Sequence, residues 1–156
     1  MKKYFNHKMC KMCGGACCKS YAGSYKPQDF EQPITADFIL SLLNSGKVAI
    51  DWWEGDVLDK DLSQTYYLRP RHKNEAAIKG SWGGECVNFT EGVGCSLDEK
   101  TRPYQCRMLI PNFKNGQPDC DHLGKDKADK KHCAIAWYEY QNIFEEVTER
   151  YCETVR

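Results

Sequence analysis

The apolar residues Phe38, Ile39, Leu42 and Leu43 fall on one stripe of a helical wheel within AspPheIleLeuSerLeuLeuAsn, residues 37–44. That period predicts a short amphipathic helix that buries one face. Thr35 stands ahead of it as an N-cap, where a side-chain oxygen takes up an otherwise unpaired backbone N–H, and Gly46 stands behind it as a stop. ValAlaIleAspTrpTrp at 48–53 and ThrTyrTyrLeuArg at 65–69 are rich in branched and aromatic residues, and Pro70 closes the second run. Both read as strands and are expected to pair antiparallel. Near the end of the chain Trp137, Tyr140, Phe144, Val147 and Tyr151 recur every three or four residues. They predict an amphipathic helix over 134–155 whose aromatic stripe packs on the domain. Cys152, one position past the stripe, is expected to be a packed thiol.

From Gly80 to Asp121 no period survives. The stretch is rich in Gly, Pro and Asn and reads as irregular chain wrapped around something. The run GlyLysAspLysAlaAspLysLysHis at 124–132 mixes charges and reads as a solvated turn or helix face. There is no internal repeat or low-complexity tract, and 156 residues suit one domain. The expected fold is a small α+β domain over 1–156, irregular, loop-rich and metal-stabilised, with a C-terminal amphipathic helix.

Charge removes several classes of partner. Lys plus Arg and Asp plus Glu number 22 each, so no net field draws the chain to nucleic acid or anionic lipid. No run approaches the ~18 apolar residues of a membrane span, and Met1–Met9 carries lysines without an apolar run behind them. A cytoplasmic location is expected. In that reducing compartment the ten cysteines read as metal ligands or catalytic thiols rather than as a disulfide framework.

CysLysMetCysGlyGlyAlaCysCys, residues 10–18, is the densest cluster. Cys10 and Cys13 form a C-x2-C knuckle, a spacing that aims two thiolates at one metal and serves both zinc and iron–sulfur sites. Gly14 and Gly15 permit the close backbone approach that brings Cys17 into range. Neighbouring side chains such as Cys17 and Cys18 diverge by about 100° on a helix, so the pair suits two metal atoms better than one tetrahedral ion; the alternative is that Cys18 is a buried apolar residue. Cys86, Cys95, Cys106 and Cys120 supply a second set of four. Eight thiolates fit two clusters, two zinc sites, or one cluster and one ion, with Arg102 and Arg107 placed to offset their charge. Cys133, His122 and His132 are left open as ligands, while His7 and His72 read as ordinary polar residues.

CysLysMetCysGlyGlyAlaCysCys resembles the CxxCxxxCC signature of the YkgJ-like cysteine-cluster family, described as zinc- or iron-chelating and often as iron–sulfur proteins. CysValAsnPheThr at 86–90, GlyCysSerLeu at 94–97, ArgProTyrGlnCysArg at 102–107 and AsnGlyGlnProAspCysAsp at 115–121 resemble the family's later segments in the same order. The resemblance implies a ligand set of Cys10, Cys13, Cys17, Cys18, Cys86, Cys95, Cys106 and Cys120. A similar signature occurs in the flagellin lysine-N-methylase family, whose methyl transfer is not carried over to this chain.

The leading expectation is therefore a cysteine-rich protein binding iron–sulfur, [4Fe–4S] first, for electron transfer or support of a partner enzyme. A structural zinc domain that binds another protein is the alternative, and a metal-dependent transferase-like enzyme the second. No nucleophile–base pair, H-E-x-x-H, G-x-G-x-x-G or P-loop is present to assign catalytic residues.

Overall fold

The computed structural model describes residues 22–80, 83–98, 100–110, 113–118, 121–122 and 130–155. In chain order these form α1 (Ala36–Asn44), β1 (Val48–Glu54), β2 (Gln64–Pro70), β3 (Phe89–Thr90), β4 (Gly94–Cys95), α2 (Tyr104–Arg107), β5 (Leu109–Ile110), β6 (Phe113–Lys114), β7 (Gln117–Pro118), β8 (Asp121–His122), α3 (Lys130–Ala136) and α4 (Gln141–Val155). Single 3-10 turns lie at Pro27–Asp29 and Tyr138–Tyr140. The fold is small, α+β and loop-rich, with an amphipathic helix at its C-terminal end.

The first helix forms where its pattern predicts. Thr35 Oγ1 accepts the Phe38 N–H at 3.1 Å, Ala36, Ile39 and Leu43 face the core, and Gly46 turns the chain out at φ +81°. β1 and β2 pair antiparallel from Val48 opposite Pro70 to Glu54 opposite Gln64. A two-stranded sheet leaves two open edges, each a row of backbone groups that must find partners. On β1, Ile50 N–H donates to Ala77 O (2.7 Å) and Ile50 O accepts from Lys79 N–H (3.0 Å). On β2, Tyr25 N–H donates to Leu68 O (2.9 Å), and the Gln141 amide engages both Tyr66 N–H and Tyr66 O.

The C-terminal helix expected over 134–155 is instead two helices. The α-helix stops at Ala136, and Trp137 sits at φ −93°, ψ 1° before a 3-10 turn leads into α4. The cause is tertiary: Trp137 Nε1–H donates to Tyr25 O at 2.8 Å, and Gln141 Nε2–H caps Trp137 O at 3.0 Å while bridging to β2. The aromatic stripe itself holds, since Trp137, Phe144 and Val147 are fully buried with Ile39, Leu43, Ile50 and Leu68. Cys152 corrects expectation: it is exposed, because one residue beyond Tyr151 lies about 100° around the helix from the core face. Of the charged run at 124–132, Lys131 faces solvent, whereas Lys130 Nζ turns in to within 3.9 Å of Asp51 Oδ2.

Asp51 and Arg69 are both fully buried and paired at 2.8 Å across the sheet. Arg69 also reaches Glu75 Oε1 at 2.8 Å, Pro70 O at 3.0 Å and Lys79 O at 3.2 Å, so all three guanidinium nitrogens are engaged. A charge this far from water is tolerated only when paired and hydrogen-bonded on every side.

Candidate metal centre

From residue 83 to 118 the described chain consists of two-residue strand pairs and one helical turn, as the loss of period predicted. Three of the eight candidate ligands lie there. Cys86 is buried and faces His72 across an isolated antiparallel bridge; Cys95 is half-buried in β4 opposite Phe89; Cys106 is half-buried in α2. Cys10, Cys13, Cys17, Cys18 and Cys120 lie outside the described residues, as does His7.

Two of the described cysteines lie by one short segment, Ala22 to Tyr25: Cys106 Sγ stands beside Gly23, and Cys86 bridges to His72, whose Nε2 accepts the Ala22 N–H. Burial pushes the Tyr25 phenol far above its ordinary range, and negative charge on Cys106, Cys86, Asp29 and Cys95 adds in that order. Cys106 follows Cys86 by twenty positions, yet both act on the same phenol. Gly23 lies closest to a thiol: a Cβ there would stand 2.5 Å from Cys106 Sγ and 3.2 Å from Cys106 N. Only glycine permits so close an approach.

α2 is too short to hold its own position and is tied by side chains. Gln105 Oε1 accepts Ser24 N–H at 2.8 Å, and Gln105 N–H donates to Ser24 O at 3.2 Å. Tyr104 N–H donates to Asp29 Oδ2 at 2.8 Å, while Arg107 Nη2 pairs with Asp29 Oδ1. Arg107, expected to offset thiolate charge, is thus paired with Asp29. Arg102 is buried and donates from Nε to Leu97 O at 3.3 Å.

His72 is the residue that sequence reasoning missed. It is buried rather than ordinary surface: Nε2 accepts the Ala22 N–H at 3.1 Å, and Nδ1 lies 3.1 Å from Glu75 Oε2. An Nε2 that accepts a backbone N–H fixes the neutral tautomer with its proton on Nδ1. Burial lowers its pKa, and Arg69 adds to the effect against the pull of Glu75. Nothing in hydropathy or spacing marks His72, since its partners are fifty residues upstream and three downstream.

Cys133 is buried in α3, and its thiol donates to Ser24 O at 3.8 Å. His132 Nε2 lies 2.7 Å from Lys26 Nζ, and His122 belongs to β8. Among the described residues no three His, Cys, Asp or Glu side chains are arranged to hold a metal ion. Cys86, Cys95 and Cys106 do not form such a group by themselves; soft thiols beside closely approaching backbone are the donor type that zinc and iron–sulfur take. Among the described residues no helix is long and apolar enough to cross a membrane.

No family model, curated protein or solved structure matches this chain.

Proposed function

We propose that this chain is a cysteine-ligated iron–sulfur protein serving electron transfer or a partner enzyme. Its ligands are Cys10, Cys13, Cys17 and Cys18 together with Cys86, Cys95, Cys106 and Cys120. The observation that carries the reading is Gly23, five positions after Cys18, pressed against Cys106 Sγ, beside Ala22, whose N–H is held by His72 across an isolated bridge from Cys86. The adjacent pair Cys17–Cys18 and the resemblance of five cysteine segments to the YkgJ-like family favour a polynuclear cluster over a single ion.

Such a cluster would supply reversible one-electron chemistry, with a potential set by its burial and by hydrogen bonds to the thiolates. This chain's own contribution is positional. His72 and Gln105 fix Ala22 and Ser24 by backbone hydrogen bonds, so the segment leading from the upstream cysteines is set against the downstream ones. Anaerobic purification followed by iron, sulfide and zinc analysis tests the reading. Iron and sulfide in similar amounts, with a visible brown chromophore, are expected. A colourless protein holding zinc alone rejects it in favour of the structural zinc domain.

A further inference from the structure

On the side of α2 that faces α3, three separate segments bring basic side chains to one half-buried spot. Lys26 extends from ahead of the first 3-10 turn, Tyr104 from α2, and His132 and Cys133 from α3. Lys26 Nζ lies 2.7 Å from His132 Nε2 and 3.8 Å from the centroid of the Tyr104 ring, and the Tyr104 and His132 rings are 6.0 Å apart. Asp29 and Arg107, paired with each other, flank the spot. Two basic groups at 2.7 Å share one proton between them, because two adjacent cations repel. That is the arrangement of an amine nucleophile beside its own general base.

We propose that Lys26 and His132 form a carbonyl-reactive amine site that takes a small aldehyde or ketone at Lys26 Nζ as an imine. The ammonium proton passes to His132 Nε2, and the lone pair left on Nζ bonds to the carbonyl carbon. The carbonyl oxygen takes a proton back from His132, giving a carbinolamine. Loss of that hydroxyl as water, with one of the two protons left on Nζ, gives the protonated imine, and hydrolysis reverses each step. The Tyr104 face supports the amine from below and an apolar substituent beside it. The groups facing Lys26 divide: burial and Arg107 lower its pKa, while Cys133 and Asp29 raise it, and burial is the largest influence.

The test uses the full chain as purified, treated with propanal and sodium cyanoborohydride at pH 7, with alkylated lysines ranked by peptide mass spectrometry. Lys26 is expected to react faster than the exposed Lys47 and Lys131, because burial lowers its pKa and leaves more of it as free amine at pH 7. Reaction at or below the Lys47 rate overturns the proposal. In His132→Gln the Lys26 rate should fall toward that of Lys47 while Lys47 stays unchanged; an undiminished Lys26 rate removes His132 from the site. Should that variant not fold, the wild-type pH profile decides: the lead of Lys26 must vanish near pH 10, where ordinary lysines also lose their proton. A lead that persists there overturns the proton-sharing mechanism. None of these readouts depends on metal content.

Discussion

Gly23 and Cys106 show what a single atom contributes at the proposed centre: the hydrogen of Gly23 stands where a methyl group would meet the Cys106 sulfur. The ligand assignment is tested one thiol at a time. Cys13→Ser, Cys95→Ser and Cys106→Ser should each lower iron and sulfide per chain, whereas Cys152→Ser, on the solvent side of α4, should leave both unchanged. Equal loss in all four variants would mean that folding, not ligation, is being measured. Asp56 offers a test far from the thiols. Burial works to raise its pKa, but N–H donation from Leu62 and Leu58 and the Tyr138 hydroxyl outweigh it, and the carboxyl is held below its ordinary value. A depressed folded pKa means that the unfolded chain binds the proton more readily, so stability rises with pH through this window. Its contribution is present above about pH 4 and is lost as pH falls through the folded value. Denaturant midpoints between pH 3 and pH 6 should show a shallower acid slope in Asp56→Asn than in the natural chain.

At the scale of elements, the helices and strands that are legible in sequence are those whose reasons are local. α1 carries its cap, its stripe and its glycine stop within a dozen residues, and β1 and β2 carry their own branched and aromatic runs. The break at Trp137 was illegible for the opposite reason. Trp137, Tyr140 and Phe144 keep helical spacing straight through it, and what ends the helix is Tyr25 and Tyr66, more than seventy residues away. Gln141 stitches the break to the sheet with one amide, accepting from Tyr66 N–H and donating to Tyr66 O and Trp137 O. Gln141→Ala strands those buried backbone groups and should cost about 1–3 kcal/mol in denaturant unfolding. A loss below a few tenths of a kcal/mol would mean that water replaces the amide without penalty. The short strands between 89 and 122 show no signal because two residues are too few for a period.

For the molecule as a whole, the apolar cluster of α1, β1, β2, α3 and α4 contains none of the three described candidate ligands, Cys86, Cys95 and Cys106. The cysteine spacing made candidate donors legible, but could not indicate that Ala22–Ser24 is held beside Cys86 and Cys106, since His72 and Gln105 have no motif. Two regions with separate means of support should respond differently to chelation under anaerobic conditions. Metal removal is expected to leave far-UV circular dichroism and buried-tryptophan fluorescence near their starting values while opening 83–118 to protease. Complete loss of the helical signal would instead show that the metal is part of the core's own stability.

Residues 22–25 receive bonds from β2, α2, α3, Trp137 and His72 along one short stretch of backbone. Each partner reads a particular residue in a particular register, so one inserted residue would misalign all of them at once. The turn between β1 and β2, closed by Gly55 and Asp56 at the surface, can change length at the cost of a few local bonds. Tolerance of insertions should therefore be lowest at 22–25 and high at 58–61, and a library of single-residue insertions scored for soluble yield would trace that contrast along the chain.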